Sequence, residues 1–144
     1  MLMSPTDPNF GKTLSLLWLF AILNMLFRDI HEFTMAHNLE EILAGSVNGN
    51  PMSESILLVG AVAVELLLLG FLLSALLAPK AARWVNLVLA PLAIFGTTLG
   101  VPNDPDDYFF AAIVIATFMA IFVLAWRWAP QEDAAWIVGD HHVA

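Results

Sequence analysis

The sequence predicts an all-α fold, a four-helix transmembrane bundle in a single domain. The prediction rests on its composition, on the length of its apolar runs and on their unbroken apolar character. Hydrophobic residues make up 60% of the 144-residue chain, whereas about 45–50% is usual for a soluble domain. The excess lies in long runs that each approach the roughly 20 residues an α-helix needs to cross the hydrocarbon core. The runs are continuously apolar, without the alternation of β-barrel strands, so helices must satisfy the backbone there.

The predicted spans cover residues 13–33, 55–77, 82–101 and 108–128, and a flexible tail follows over 129–144. The longest connection joins the first two spans. Within it, Asn38 followed by Glu41 is typical of a capping box and predicts a short extracytoplasmic helix over Leu39–Ala44 that ends at Gly45. The residues after Gly45 are typical of turns.

Basic residues predict the orientation of the chain. Lys12 precedes the first span, Lys80 and Arg83 lie between the second and third, and Arg127 closes the fourth. A chain that crosses four times places all of them on one side. The positive-inside rule makes that side cytoplasmic. We therefore expect a multi-pass protein of the inner or plasma membrane, with both termini and the Pro79 turn in the cytoplasm.

Charge and residue usage exclude several functions. A net charge of −8 disfavours nucleic-acid partners, because phosphate binding needs a basic surface. The absence of cysteine excludes disulfides, cysteine zinc sites and Fe–S clusters. Phosphate loops and nucleophile elbows are also absent from the sequence, which argues against a soluble-type enzyme. We expect no cofactor, and membrane lipids are the expected partners.

Polar residues inside the predicted spans are the main functional candidates. Glu65 lies near the middle of the second span, where an ionisable side chain is a functional-site hypothesis by default. Helical spacing places Asn24, Arg28 and the pair His31 and Glu32 on one face of the first span. We expect this polar stripe to face the bundle interior and to meet Glu65.

Three functions remain open on these residues. The first, which is the favoured one, is a transporter or channel-like subunit that handles a proton or small cation through Glu65 and the stripe. The second is an intramembrane binder of a lipid-like molecule, or an enzyme with Glu65 as its acid or base. The third is a structural or accessory subunit in which Glu65 and Arg28 form a buried ion pair. An enzyme is the less favoured interpretation.

The histidines raise the possibility of a metal site. His31, Glu32 and His37, with Glu40 and Glu41, lie close in sequence and could gather around a divalent cation. Their spacing matches no defined zinc motif. A solvated acidic surface is the favoured interpretation, and no metal site is predicted.

Small residues recur at four-residue spacing in the last two spans. The third span contains Gly96 and Gly100, and the fourth contains Ala112, Ala116 and Ala120. Such faces let helices approach closely. Packing within the bundle is the favoured interpretation, and a homo-oligomer formed through one of these faces is the alternative.

Four segments of the sequence resemble a family of small bacterial four-span membrane proteins of uncharacterised function. They are LWLFAILNMLFRDI, EEILAG, VELLLL and ARWVNLV, and the resemblance covers most of residues 14–128. Its distinctive positions are Trp18, Asn24, Asp29, Gly45, Glu65, Arg83, Trp84 and Asn86. The FRDIHEF stretch is more polar than expected of that family. The resemblance implies the four-span topology and no particular activity.

Small multidrug exporters are a looser comparison, because their essential glutamate lies in the first helix and not in the second.

Overall fold

The computed structural model describes residues 9–47, 49–99 and 105–128 of the chain. These residues form five helices and a two-stranded hairpin. The elements are α1 (Phe10–Thr34), α2 (Ala36–Leu43), β1 (Ser46–Val47), β2 (Asn50–Pro51), α3 (Glu54–Leu76), α4 (Pro79–Leu99) and α5 (Pro105–Arg127). The predicted tail over 129–144 and Gly100 lie outside the described residues.

The predicted all-α bundle with four membrane-spanning helices is confirmed. Helices α1, α3, α4 and α5 are 21–25 residues long and apolar enough to cross a membrane. Each begins one to three residues before the predicted start, because the helices continue into polar flanking residues that a count of apolar residues leaves out. The chain is thus a multi-pass membrane protein by the length and composition of its helices.

The spanning helices form a ring in which each packs against its two neighbours. Helix α1 packs against α3 and α5, and α4 packs against the same two helices from the opposite side. We call the end of the bundle that holds α2 and the hairpin the loop end. The opposite end, where Pro79 starts α4 directly after α3, is the turn end. Proline suits the first position of a helix because the N–H it lacks would have no helical partner there.

The helices are joined tightly in the half of the bundle nearer the turn end. Trp18 is fully buried, and its indole Nε1 donates to Oδ1 of Asn86 at 2.7 Å. The amide nitrogen of Asn86 donates to Oγ of Ser74 at 2.8 Å, and the Ser74 hydroxyl donates to the Gly70 carbonyl at 2.6 Å. These bonds connect α1, α3 and α4. Buried polar groups in lipid need such partners, so this cluster fixes how the three helices face one another.

Gly70 permits the close contact between α1 and α3. A Cβ at this position would lie 2.7–2.9 Å from the ring carbons of Trp18. Real side chains do not approach that closely, so only glycine lets the indole ring lie against the α3 backbone.

The loop end differs from the predicted capping box. Helix α2 begins at Ala36, with Met35 before it and no side-chain cap. Asn38 donates instead to the Glu32 carbonyl at 3.3 Å, and the Glu41 carboxylate accepts the Gly49 N–H at 2.6 Å. The capping prediction was wrong because both side chains bind other parts of the connection. The segment predicted to contain turns forms the hairpin β1–β2, and Gly49 has a φ of +72°.

Candidate functional site

Arg28 is held between two carboxylates in the half of the bundle nearer the loop end. Its Nε donates to Oδ1 of Asp107 at 2.9 Å, and its Nη2 lies 3.2 Å from Oε1 of Glu32. The Asp107 side chain is only 8% exposed, whereas those of Arg28 and Glu32 are about 30% exposed. Asp107 lies in the first turn of α5, where the helix dipole favours a negative charge. The ion pair of Arg28 with Asp107 therefore joins the neighbouring helices α1 and α5.

The structure corrects the expected contact between Arg28 and Glu65. Glu65 is exposed, and it forms no ion pair with any described residue. The buried residues of α3 are Leu67, Gly70 and Ser74. Two residues along an α-helix turn the side chain by about 200°, so Glu65 points away from the face that Leu67 shares with Gly70 and Ser74. Gly70 and Ser74 pack α3 against α1 and α4. In this rotation of α3, the carboxyl group of Glu65 points outward.

The rest of the polar stripe divides into two parts. Asn24 donates to the Phe20 carbonyl of its own helix at 2.8 Å and reaches no other helix through this bond. His31 continues the contact with α5, because its Nε2 lies 3.3 Å from Oδ2 of Asp106. The loop-end part of the stripe thus meets the start of α5 and not the middle of α3. Asp106 and Asp107 were missed as partners, although two acids in the first turn of a span were a visible signal.

The residues considered for a metal site have separate partners. His31 faces Asp106 and Glu32 faces Arg28, while His37 lies exposed on α2. Within the described ranges, no three histidine, aspartate or glutamate side chains are grouped so that they could hold a metal ion.

A cavity of about 360 Å³ lies in the loop-end half of the bundle and is bordered by all four spanning helices. Its lining includes Met25 and Arg28 from α1, Leu67 from α3, Leu89 from α4 and Val114 from α5. Most of the wall is apolar. Thr97 also borders the cavity, but its hydroxyl donates to the Ala93 carbonyl of its own helix at 2.9 Å. Arg28 is therefore the main polar group that the cavity offers to a ligand.

The exposed part of the cavity lining belongs to α3 and α4. Several of its lining residues are also exposed, among them Ala63 on α3 and Leu92, Phe95 and Leu99 on α4. Gly96 borders the cavity as well, and a Cβ built on it meets nothing within 4 Å. At the turn end, by contrast, the same two helices are hydrogen-bonded through Ser74 and Asn86. The cavity lining is thus exposed along α3 and α4 in the loop-end half, away from this hydrogen-bonded contact.

A second cavity of about 380 Å³ lies under α2 and the hairpin. Its wall includes three carboxylates, Asp29, Glu32 and Glu41, together with apolar residues such as Phe33 and Ile42. Arg28 borders the first cavity and Glu32 the second, and the two side chains are paired at 3.2 Å. This ion pair therefore lies between the two spaces.

The small-residue positions are not buried between helices as the favoured interpretation expected. Gly96 lies at the cavity opening, and Ala112 and Ala116 are exposed on α5, while Ala120 is half-buried. The exposed alanines are available to lipid or to another protein.

The comparisons with known proteins bear on the family alone. A search of curated proteins and a search of solved structures each found no match. The sequence model of the family DUF6326, described as a family of unknown function, matches residues 3–135. The match includes every spanning helix and confirms the expected resemblance to an uncharacterised family. The chain therefore belongs to DUF6326, a family of unknown function.

Proposed function

We propose that this protein binds an apolar, lipid-like molecule that enters from the membrane through the gap between α3 and α4. The observation that carries the proposal is the 360 Å³ cavity bordered by all four spanning helices. Small-molecule sites are typically apolar cavities of about 300–1,000 Å³ with a few polar groups that orient the ligand. This cavity fits that description, with Arg28 as the orienting group.

The ligand is selected by shape and by one polar contact. Lipid tails are as apolar as the cavity wall, so moving a hydrocarbon group from the membrane into the cavity gains little from the hydrophobic effect. A hydrogen bond to Arg28 makes the cavity favour the ligand over bulk membrane lipid, which the apolar wall alone does not do. The two carboxylates of Asp107 and Glu32 already exceed the single positive charge of the Arg28 guanidinium. A neutral acceptor, such as a carbonyl or hydroxyl oxygen, therefore suits this position better than a phosphate.

A proton- or cation-handling role draws less support from the geometry. That role requires a continuous path from Glu65 to the polar stripe. Glu65, however, faces away from both Arg28 and the cavity. A purely structural role draws its support from the buried pair of Arg28 and Asp107 at 2.9 Å. That role explains the pair but not the open cavity beside it.

The orientation proposed for the chain puts the cavity in the outer half of the membrane. The turn end carries Lys80, Arg83 and Arg127, and the loop end carries acidic residues such as Glu54 and Asp106. The positive-inside rule places the turn end in the cytoplasm. We infer that both termini are cytoplasmic in an inner or plasma membrane and that the ligand comes from the outer leaflet.

The experiment is photolabelling of the purified protein in liposomes with a diazirine-bearing monoacylglycerol. We expect saturable labelling of the peptide that spans Leu92–Leu99, with competition by unlabelled monoacylglycerol. A diazirine-bearing phosphatidic acid should label the same peptide less, because the acids around Arg28 repel its phosphate.

Two glycine variants make the test specific. Gly96→Leu should place a bulky side chain at the opening and remove most of the saturable labelling. A Cβ at this position meets no atom within 4 Å, so we expect the helix backbone to stay in place. Gly60→Leu is the matched control. Gly60 also lies exposed on a spanning helix with free space around it, but it does not border the cavity. Equal saturable labelling of both variants and the wild type would show that the cavity is not the binding site.

A further inference from the structure

The half of α3 nearer the loop end is exposed along its whole length. Every residue from Glu54 to Glu65 is exposed, and only Leu67, Gly70 and Ser74 of this helix are buried. In a membrane protein, apolar side chains on such a surface are covered by lipid. A polar side chain on the same surface needs a different explanation.

Glu65 is such a side chain and, unlike Glu54 and Ser55 at the start of α3, it lies at the centre of the helix. It lies eleven positions from the residue at each end of α3, which at 1.5 Å per residue is about 16 Å. A glutamate side chain cannot reach water over that distance. Its carboxyl group therefore stays in the hydrocarbon region, where lipid offers no hydrogen-bond partner and an unpaired ionisable group is costly.

None of the described residues provides a partner for this carboxyl group. Within two turns of Glu65, the residues that share its face of α3 are all exposed and apolar: Leu58, Ala61, Val62, Leu68, Leu69 and Leu72. The described bases at the turn end are Lys12, Lys80, Arg83 and Arg127, far from the centre of the helix. The remaining base, Arg28, is bound to Asp107 and Glu32.

We infer that a second copy of this chain covers this face, with the two Glu65 carboxyl groups hydrogen-bonded to each other across a two-fold axis. Two copies with the same orientation in the membrane are related by an axis along the membrane normal, so residues at equal depth meet. Glu65 then faces its own copy. Carboxyl groups are self-complementary, because a protonated one donates to the other.

The neighbouring residues suit such a contact. Ala61 lies one turn from Glu65 on the same face, and its small side chain lets two α3 helices approach. The interface lies on the opposite side of α3 from Leu67, which borders the apolar cavity. Dimer formation and ligand binding therefore use different surfaces and can fail independently.

Cysteine cross-linking in liposomes tests the interface, and the cysteine-free sequence makes single substitutions unambiguous. Leu58→Cys and Leu72→Cys lie two turns to either side of Glu65 on its face, and each should give a disulfide-linked dimer under mild oxidation. Val59→Cys is the matched control. Val59 is as exposed as Leu58, at 69% against 64%, but points about 100° away around the helix. Cross-linking of Val59→Cys as strong as that of Leu58→Cys would overturn the inference.

Substitutions of Glu65 test the carboxyl contact itself, with the monomer–dimer equilibrium measured by counting photobleaching steps in liposomes. Glu65→Gln should keep the dimer, because an amide both donates and accepts. Glu65→Leu should weaken it roughly five- to thirtyfold, the range expected for hydrogen bonds between membrane helices. An unchanged equilibrium in Glu65→Leu, or a wild type that stays monomeric at every protein-to-lipid ratio, would refute the proposal. The far-ultraviolet circular dichroism spectrum of Glu65→Leu should match that of the wild type, which shows that the variant is folded.

Discussion

Replacing Asp107 by alanine removes the buried partner of Arg28 and should strongly destabilise the bundle. The pair has a 2.9 Å contact, and the Asp107 side chain is 8% exposed. Removing one partner of a buried pair typically costs about 3–5 kcal/mol, because the remaining charge is left uncompensated. Since Arg28 is 28% exposed and retains Glu32, we expect the lower end of that range, about 3 kcal/mol.

Glu32→Ala is the matched control for this prediction. Glu32 also contacts Arg28, but the two side chains are one turn apart on the same helix and about 30% exposed. Such pairs contribute only about 0.3–0.5 kcal/mol. The difference between the two variants therefore measures how much the contact between α1 and α5 contributes to stability, compared with the contact that Arg28 makes within its own helix.

The assay is reversible unfolding in mixed detergent micelles, followed by circular dichroism. In a double-mutant cycle, Arg28→Ala with Asp107→Ala should destabilise by less than the sum of the single effects. The combination of Arg28→Ala with Glu65→Ala should be additive within about 0.5 kcal/mol, since the two side chains do not touch. Strong coupling between Arg28 and Glu65, or equal losses in Asp107→Ala and Glu32→Ala, would refute this assignment of partners.

Two further predictions concern packing and orientation. Gly70→Ala should destabilise the fold by roughly 1–3 kcal/mol in the same unfolding assay, because its Cβ would lie 2.7 Å from the Trp18 ring, whereas Gly60→Ala should have little effect. Equal stabilities of the two variants would contradict the close approach of α1 and α3. An impermeant thiol reagent applied to intact cells should label Asn48→Cys but not Ala81→Cys. The reverse pattern would invert the proposed orientation.

The spanning helices could be predicted from the sequence because span length depends only on local composition. Each apolar run is long enough to cross the membrane, and no tertiary contact is needed to recognise it. The short helix α2 was predicted less well. Asn38 and Glu41 matched a capping box by residue type, but their side chains bind Glu32 and Gly49, and those contacts depend on how the connection folds back.

The partners of Arg28 and Glu65 could not be predicted because they depend on the rotation of each helix. Helix α3 is apolar on nearly every side, so its sequence gives no preferred inward face. The inward face is set by the contact of Gly70 with Trp18 and the bond of Ser74 with Asn86. Both involve residues distant in sequence. The depth of Glu65 in the membrane could be predicted from the sequence, whereas the direction of its side chain could not.

The same contacts account for the position of the cavity. Trp18, Ser74 and Asn86 hold α1, α3 and α4 together near the turn end, while the pair of Arg28 and Asp107 holds only α1 and α5 near the loop end. Helices α3 and α4 have no comparable polar contact near the loop end among the described residues. The exposed lining of the cavity lies on these two helices, and the cavity is the proposed binding site.

The most direct test of the central claim is native mass spectrometry of the protein released from lipid nanodiscs that contain monoacylglycerol. We expect wild type and Gly60→Leu each to retain one monoacylglycerol per chain and Gly96→Leu to retain none. Retention by Gly96→Leu equal to that of the wild type, or no retained molecule in any of the three proteins, would refute binding in this cavity.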